Sequence, residues 1–175
     1  LEDPSVKKIG QNIKFDFIVF YKNGITLTSM EDTMLMSYVL DAGKNRHNMD
    51  TLSEIHLGYK TISFKDLVGT GKKAINFSEV ELDKAKDYAA EDADITFRLY
   101  RKFLKSLKSE KMTNIYETFE KPLIEILAFM EIEGVEIDSK FLKSLSSKFE
   151  KKIKKLEKDI FKISKKEFNI ASPKQ

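Results

Sequence analysis

The sequence predicts an α/β fold in which helices dominate. Three observations carry that expectation. Apolar residues recur every three or four positions over 80–107, 115–132 and 138–163, the period of a helix with one buried face. Only two short segments, 6–10 and 25–28, read as strands. Gly24 and Gly134 fall just past periodic runs, where a helix stops.

In chain order, Val6–Gly10 is the first strand candidate, and Ile13–Tyr21 a short, mostly buried helix with Asn12 as its N-cap. Ile25-Thr26-Leu27-Thr28 is β-rich and alternating, a second strand. Asp32–Leu40 and Asp50–Leu57 are helices, the latter capped near Asn48 or Asp50. A loop-rich excursion over 59–79 holds a helical turn at Phe64-Lys65-Asp66-Leu67. Residues 80–107 form one long helix, and the polar stretch Lys108–Lys111 is the best domain boundary. The next helix, 115–132, should bend at Pro122 or begin there. Asp138 caps a last helix whose apolar positions (Leu142, Leu145, Phe149, Ile153, Leu156, Ile160, Ile163) make a heptad-like seam that needs a partner.

Two acids stand on these apolar stripes. The stripe of the long helix runs Val80, Ala85, Tyr88, Ala89, Asp92, Ile95, Leu99, Phe103, Leu107. Asp92 sits in its middle, one turn beyond Tyr88, whereas Asp94 points roughly 200° away. In the first helix Ile13, Asp16, Phe17 and Phe20 fall at i, i+3, i+4 and i+7. A carboxylate on a core-facing stripe is costly without an ion pair, hydrogen bonds or a metal. Each acid alone reads as a satisfied structural carboxylate. Two on separate helices, one with a tyrosine a turn away, favour a shared site.

Composition narrows the classes. The chain has 175 residues, enough for one domain or one domain plus a piece of another, and 41% hydrophobic content supports a core. No apolar run is long enough to span a bilayer and no signal peptide is present, so no membrane role is expected. Cysteine is absent, which excludes disulfides and thiolate metal sites and suits a cytoplasmic protein. Residues 140–166 hold eleven lysines against Glu150, Glu157 and Asp159, a basic end on a mildly acidic body. The Gly69-Thr70-Gly71-Lys72-Lys73 run fails as a phosphate loop, because Lys73 stands where Ser or Thr is needed. His47 and His56 are isolated and read as capping or solvated residues rather than metal ligands. The chain opens at Leu1 without Met and closes at Gln175 within a motif, which reads as a piece of a longer protein.

Gly10-Gln11-Asn12-Ile13-Lys14-Phe15-Asp16 resembles the second motif of the DEDDy 3′–5′ exonucleases, and Tyr88-Ala89-Ala90-Glu91-Asp92 resembles their third. Glu31-Asp32-Thr33-Met34-Leu35 and Arg46-His47-Asn48-Met49-Asp50-Thr51-Leu52 lie between them in the expected order. Glu120-Lys121-Pro122-Leu123, Met130–Asp138 and Phe168–Gln175 resemble the start of the polymerase region of bacterial family A DNA polymerases. The resemblance implies a partial RNase H-like exonuclease domain over residues 1–108, its opening strands missing. It implies that 109–175 start the polymerase domain with helices leading into the thumb. Asp16 and Asp92 would bind two Mg²⁺ or Mn²⁺ ions, and Tyr88 would orient the nucleophilic water. Gln11 and Asn12 would contact the terminal nucleotides, and Arg46 a phosphate. Phe64 reads either as a stack for a frayed base or as a staple for its own loop. The partners implied are a single-stranded 3′ DNA end and primer-template duplex, with another copy of the chain or the missing upstream segment covering the sheet edge.

One departure matters. The family's first motif, an upstream Asp-x-Glu, is absent, so the chain alone is expected to be inactive. Two other readings stand beside this one: a stand-alone RNase D-like exoribonuclease, and a non-catalytic nucleic-acid-binding helical module.

Overall fold

The computed structural model describes residues 1–71 and 74–172. Lys72, Lys73 and the end of the last motif, 173–175, lie outside them. The chain divides into two compact units, Leu1–Glu133 and Gly134–Gln175.

The first unit is built on a two-stranded parallel sheet. Strand β1 (Lys8–Gly10) pairs with β2 (Met30–Asp32) in the register Lys8 to Met30, Ile9 to Glu31 and Gly10 to Asp32. Helix α1 (Ile13–Lys22) makes the crossover that parallel strands require. Gly10 is needed at the turn into α1, since a Cβ there would stand 2.8 Å from the Ile13 Cβ. After β2 come α2 (Thr33–Asp41), α3 (Met49–Leu57), α4 (Phe64–Val68) and a 3₁₀ turn (Phe77–Glu79). Helix α5 (Leu82–Ser109) has 28 residues and is therefore about 42 Å long. Helix α6 (Thr113–Ile115) passes through a π-turn (Tyr116–Glu120) into α7 (Lys121–Glu133).

The second strand is not where alternation placed it. The N–H groups of 25–28 are engaged elsewhere: Ile25 donates to the Phe20 carbonyl and Thr26 to the Glu2 carboxylate. Only Leu27 of that segment is buried. The expected helix over 115–132 is likewise interrupted, and Pro122 sits in the first turn of α7 just after the π-turn. Proline lacks the N–H that the preceding turn would need to continue as a regular α-helix.

Two apolar clusters hold this unit. In one, Ile95, Leu99, Phe103 and Leu107 of α5 pack with Met36, Leu52 and Tyr116. In the other, Ile13 and Phe17 of α1 pack with Leu27, Met30, Ile124 and Ala128. Polar groups join the two. Glu31 is 2% exposed, and its carboxylate meets the Lys7 and Lys121 ammonium groups at 3.1 and 3.0 Å and the Tyr116 hydroxyl at 3.0 Å. That pairing is what permits a buried charge.

The second unit is α8 (Ser139–Ser164), with the Asp138 carboxylate accepting from the Phe141 N–H at its start, as the sequence predicts. Most of its apolar seam lies exposed, Phe149 at 56% and Ile153 at 54%. Among the described residues no helix is long and apolar enough to cross a membrane.

Candidate active site

The cap of α1 places the first acid. Asn12 stands at the N-cap position but in the left-handed region, φ 58°, and its side chain makes no cap bond. This corrects the expected role of Asn12. The Asp32 carboxylate does the capping instead: Oδ1 accepts from the Asn12 N–H and Oδ2 from the Ile13 N–H, both at 3.0 Å. The same Oδ1 accepts from the Met34 N–H at 2.8 Å, so one buried carboxylate caps α1 and α2 together. Burial pushes the Asp32 carboxyl up, against the pull of these backbone bonds.

Asp16 lies one turn into α1. Ile13 and Phe17 are buried, but Asp16 is exposed, so it edges the apolar stripe rather than lying within it. The stripe of α5 also divides. Its C-terminal half, Ile95 to Leu107, is core. Val80 precedes the helix, Ala89 is exposed, and Tyr88 and Asp92 are half-buried. Toward its N-terminal end the stripe lines a cleft.

Asp16, Tyr88 and Asp92 line that one cleft, of about 440 Å³, with Gly10, Gln11 and Asp50. Burial raises the Asp92 carboxyl above its ordinary value, opposed by the nearby Tyr88 hydroxyl, with the Glu91 and Asp50 charges adding to the rise. Burial first, and then the Asp92 charge, push the Tyr88 hydroxyl up to about 12. Tyr88 is therefore a neutral donor at physiological pH. Desolvation raises Asp16 as well. Asp92 Oδ1 is buried and has no hydrogen-bond partner. A carboxylate oxygen held in that state suits a hard divalent cation, which takes oxygen ligands. Among the described residues no group of three or more His, Asp or Glu is placed to hold a metal.

The other sequence candidates are dispersed. Gln11 reaches the cleft, but its amide donates to the His47 carbonyl at 2.7 Å and accepts from the Thr33 hydroxyl. Asn12 faces a different, mainly apolar pocket near α7, and Arg46 is exposed on the loop before α3. Phe64 packs in an aromatic group, 6.1 Å from the Tyr88 ring and 5.9 Å from Phe77, while 48% exposed. His47 is bonded to the Ser37 hydroxyl at 2.9 Å, and His56, in the last turn of α3, packs edge-on to Phe103. Asp32, Asp50, Phe77 and Glu91 belong to this region without standing out in the sequence as site residues. Asp32, Asp50 and Glu91 each stood in a motif segment (Glu31–Leu35, Arg46–Leu52 and Tyr88–Asp92), whereas Phe77 carried no signal.

Comparison with known proteins identifies the family. Residues 1–108 match the family model described as the 3′–5′ exonuclease of A-type DNA polymerases. The whole chain is 45% identical to DNA polymerase I of Rhizobium leguminosarum, of which it spans 17%. It is 38% identical over its whole length to DNA polymerase I of Pseudomonas aeruginosa, of which it spans 20%. The chain thus covers about a fifth of the length of these relatives. Among solved structures, the POL domain of Pol1 from M. smegmatis, in complex with DNA primer-template and dNTP, superposes with a TM-score of 0.76. That likeness is at 21% identity and covers 100% of this chain and 27% of the other, and it establishes the fold. On these matches the chain belongs to the 3′–5′ exonuclease family of bacterial DNA polymerase I.

Proposed function

We propose that this chain is part of a DNA-directed DNA polymerase of replication and repair, and that its cleft excises 3′-terminal nucleotides from single-stranded DNA. Residues 1–108 form the second half of the exonuclease domain, and 109–175 open the polymerase domain toward the thumb. The observation that carries the reading is the convergence of Asp16, Tyr88 and Asp92 on one cleft, with an unpartnered oxygen on Asp92. The whole-length relatives, all DNA polymerases I, support it.

Asp92 and Asp16 are the residues here that would hold Mg²⁺ or Mn²⁺. When bound, two such ions supply an activated water and stabilise the leaving 3′ oxygen. The protein's own contributions follow from the site. Tyr88, neutral and one turn from Asp92 on α5, presents a hydroxyl that orients the attacking water. Asp16 and Asp92 would ligate as carboxylates, so binding of the ions would displace the protons that burial helps these groups hold. Gln11, fixed at both ends of its amide, keeps the cleft wall rigid where the terminal nucleotide lies. Phe64 offers its exposed ring face to a frayed base, a contact worth about 1–3 kcal/mol. Arg46 and the Asn12 side chain meet the strand outside the cleft. The primer-template duplex is the partner of the whole protein, which is cytoplasmic.

The test is release of nucleotides from a 3′-labelled single strand by the full-length protein with Mg²⁺. Release should stop with a chelator and with Asp92→Ala, while nucleotide incorporation persists in Asp92→Ala. The isolated 175-residue chain should release none. Unchanged release by Asp92→Ala would move the site elsewhere.

A further inference from the structure

Glu91 precedes Asp92 on α5, and its carboxylate is bonded to residues outside that helix. Glu91 Oε1 accepts from the Tyr59 hydroxyl and Oε2 from the Ile62 backbone N–H, both at 2.6 Å. Both are short bonds to a carboxylate acceptor. They grip the segment that joins α3 to α4. That segment is further tied by Thr61, whose hydroxyl donates to Asp50 at 2.8 Å, and by Arg98, whose guanidinium lies 5.8 Å over the Tyr59 ring. Two residues beyond Ile62 stands Phe64, the first residue of α4, packed against Tyr88 and Phe77.

We propose that Glu91 is a positioning residue of the excision site: by holding Tyr59 and Ile62 it fixes the start of α4 and sets the Phe64 ring against Tyr88, ready to stack on the 3′-terminal base. Glu91 does not touch the strand, and it acts through Phe64. The proposal rests on the exonuclease reading above. It accounts for the two short bonds by which Glu91 holds a connection that Thr61 and Tyr59 also tie to Asp50 and Arg98.

The test uses the full-length protein carrying Glu91→Ala, Phe64→Ala or both, with Glu91→Gln as a milder variant that keeps one acceptor. A single strand with 2-aminopurine at its 3′ end reports stacking by fluorescence quenching in a chelator, where nothing is cut. Wild type should quench the probe, and both Glu91→Ala and Phe64→Ala should lose the quench. Excision kcat/KM should fall about tenfold or more in each, since a misplacement near 1 Å can cost on the order of 100-fold. The double variant should be no worse than Phe64→Ala alone. Should Glu91→Ala fail to fold, Glu91→Gln carries the same readouts, with partial loss of quench expected. Full quench in a folded Glu91 variant, or losses that multiply in the double variant, overturns the proposal. Asp92→Asn separates the two levels: if it still excises, the exonuclease reading itself is wrong; if it is dead while Glu91 and Phe64 act independently, only the positioning role is.

Discussion

Tyr116→Phe removes one oxygen atom from the junction of the two apolar clusters, and the structure sets the cost. The Tyr116 side chain is 1% exposed. Its hydroxyl donates to Glu31 Oε2 and accepts from the Asp32 N–H, both at 3.0 Å. Burial beside Glu31 and Asp32 drives its ionisation far above the ordinary tyrosine value, so it is a neutral donor at any usable pH. A hydrogen bond to a charged group contributes about 1.5–3 kcal/mol and a neutral one about 0.5–1.5 kcal/mol. Phenylalanine leaves a buried N–H without an acceptor and takes one donor from a buried carboxylate, so the loss should be about 2–4 kcal/mol. For a chain of this size each kcal/mol moves the midpoint by about 2–4 °C, a fall of roughly 5–15 °C. The assay is thermal unfolding followed by far-ultraviolet circular dichroism. Tyr100→Phe is the internal control, since its hydroxyl meets only the exposed Lys7, at 3.5 Å, and it should cost under about 1 kcal/mol. Equal midpoints for wild type and Tyr116→Phe would refute the claim that this hydroxyl joins β2 to the α6–α7 region.

Three further outcomes are expected. Asp92→Asn should raise the midpoint in metal-free buffer by a few degrees, about 1 kcal/mol, because it removes a desolvated charge with an unpartnered oxygen; circular dichroism melting in a chelator checks this. Burial and the Lys102 charge hold the His56 imidazole below its ordinary value, so the unfolded chain binds more protons than the folded one in that window. His56 therefore adds stability that is complete above about pH 6.5 and lost as pH falls through that value toward its lower folded one; urea midpoints at a series of pH values should show this slope in wild type and less of it in His56→Leu. Neutralising Lys151, Lys152, Lys154 and Lys155 in the full-length protein should flatten the log–log salt dependence of duplex binding by about one unit for each phosphate they had neutralised, and an unchanged slope would leave them a solvated face.

The legible parts of the fold were those fixed by local chemistry. Asp138 and Asn48 cap their helices as side chains of that kind should, and Gly134 ends α7 with φ 75°. The period over Ile95–Leu107 told which face is core because that half of α5 packs against one continuous apolar surface. The same period misled over 80–92, where the face opens on a cleft and no longer needs to be apolar. The strand at 25–28 failed because strands are set by pairing, and those N–H groups are taken by Phe20 and Glu2. The capping of α1 by Asp32 was invisible for the same reason: the bond joins residues 20 positions apart. Of the candidate site, Asp16, Tyr88 and Asp92 were legible as acids and a tyrosine at telling positions. Phe77 was not, since a phenylalanine in a connecting turn carries no signal until the chain folds around it; Glu91 stood in the motif segment of Tyr88 and Asp92, but its partners Tyr59 and Ile62 lie 32 and 29 positions away.

The proposed excision site rests on the buried Asp92 Oδ1, which has no hydrogen-bond partner. The most direct measurement is the anomalous difference map from crystals of the full-length protein soaked in Mn²⁺. It should show a peak within about 2.0–2.3 Å of Asp92 Oδ1, and a second about 3.5–4 Å away on the Asp16 side of the cleft. Manganese bound only elsewhere, with Asp92 unliganded, would contradict the assignment of this cleft as the excision site.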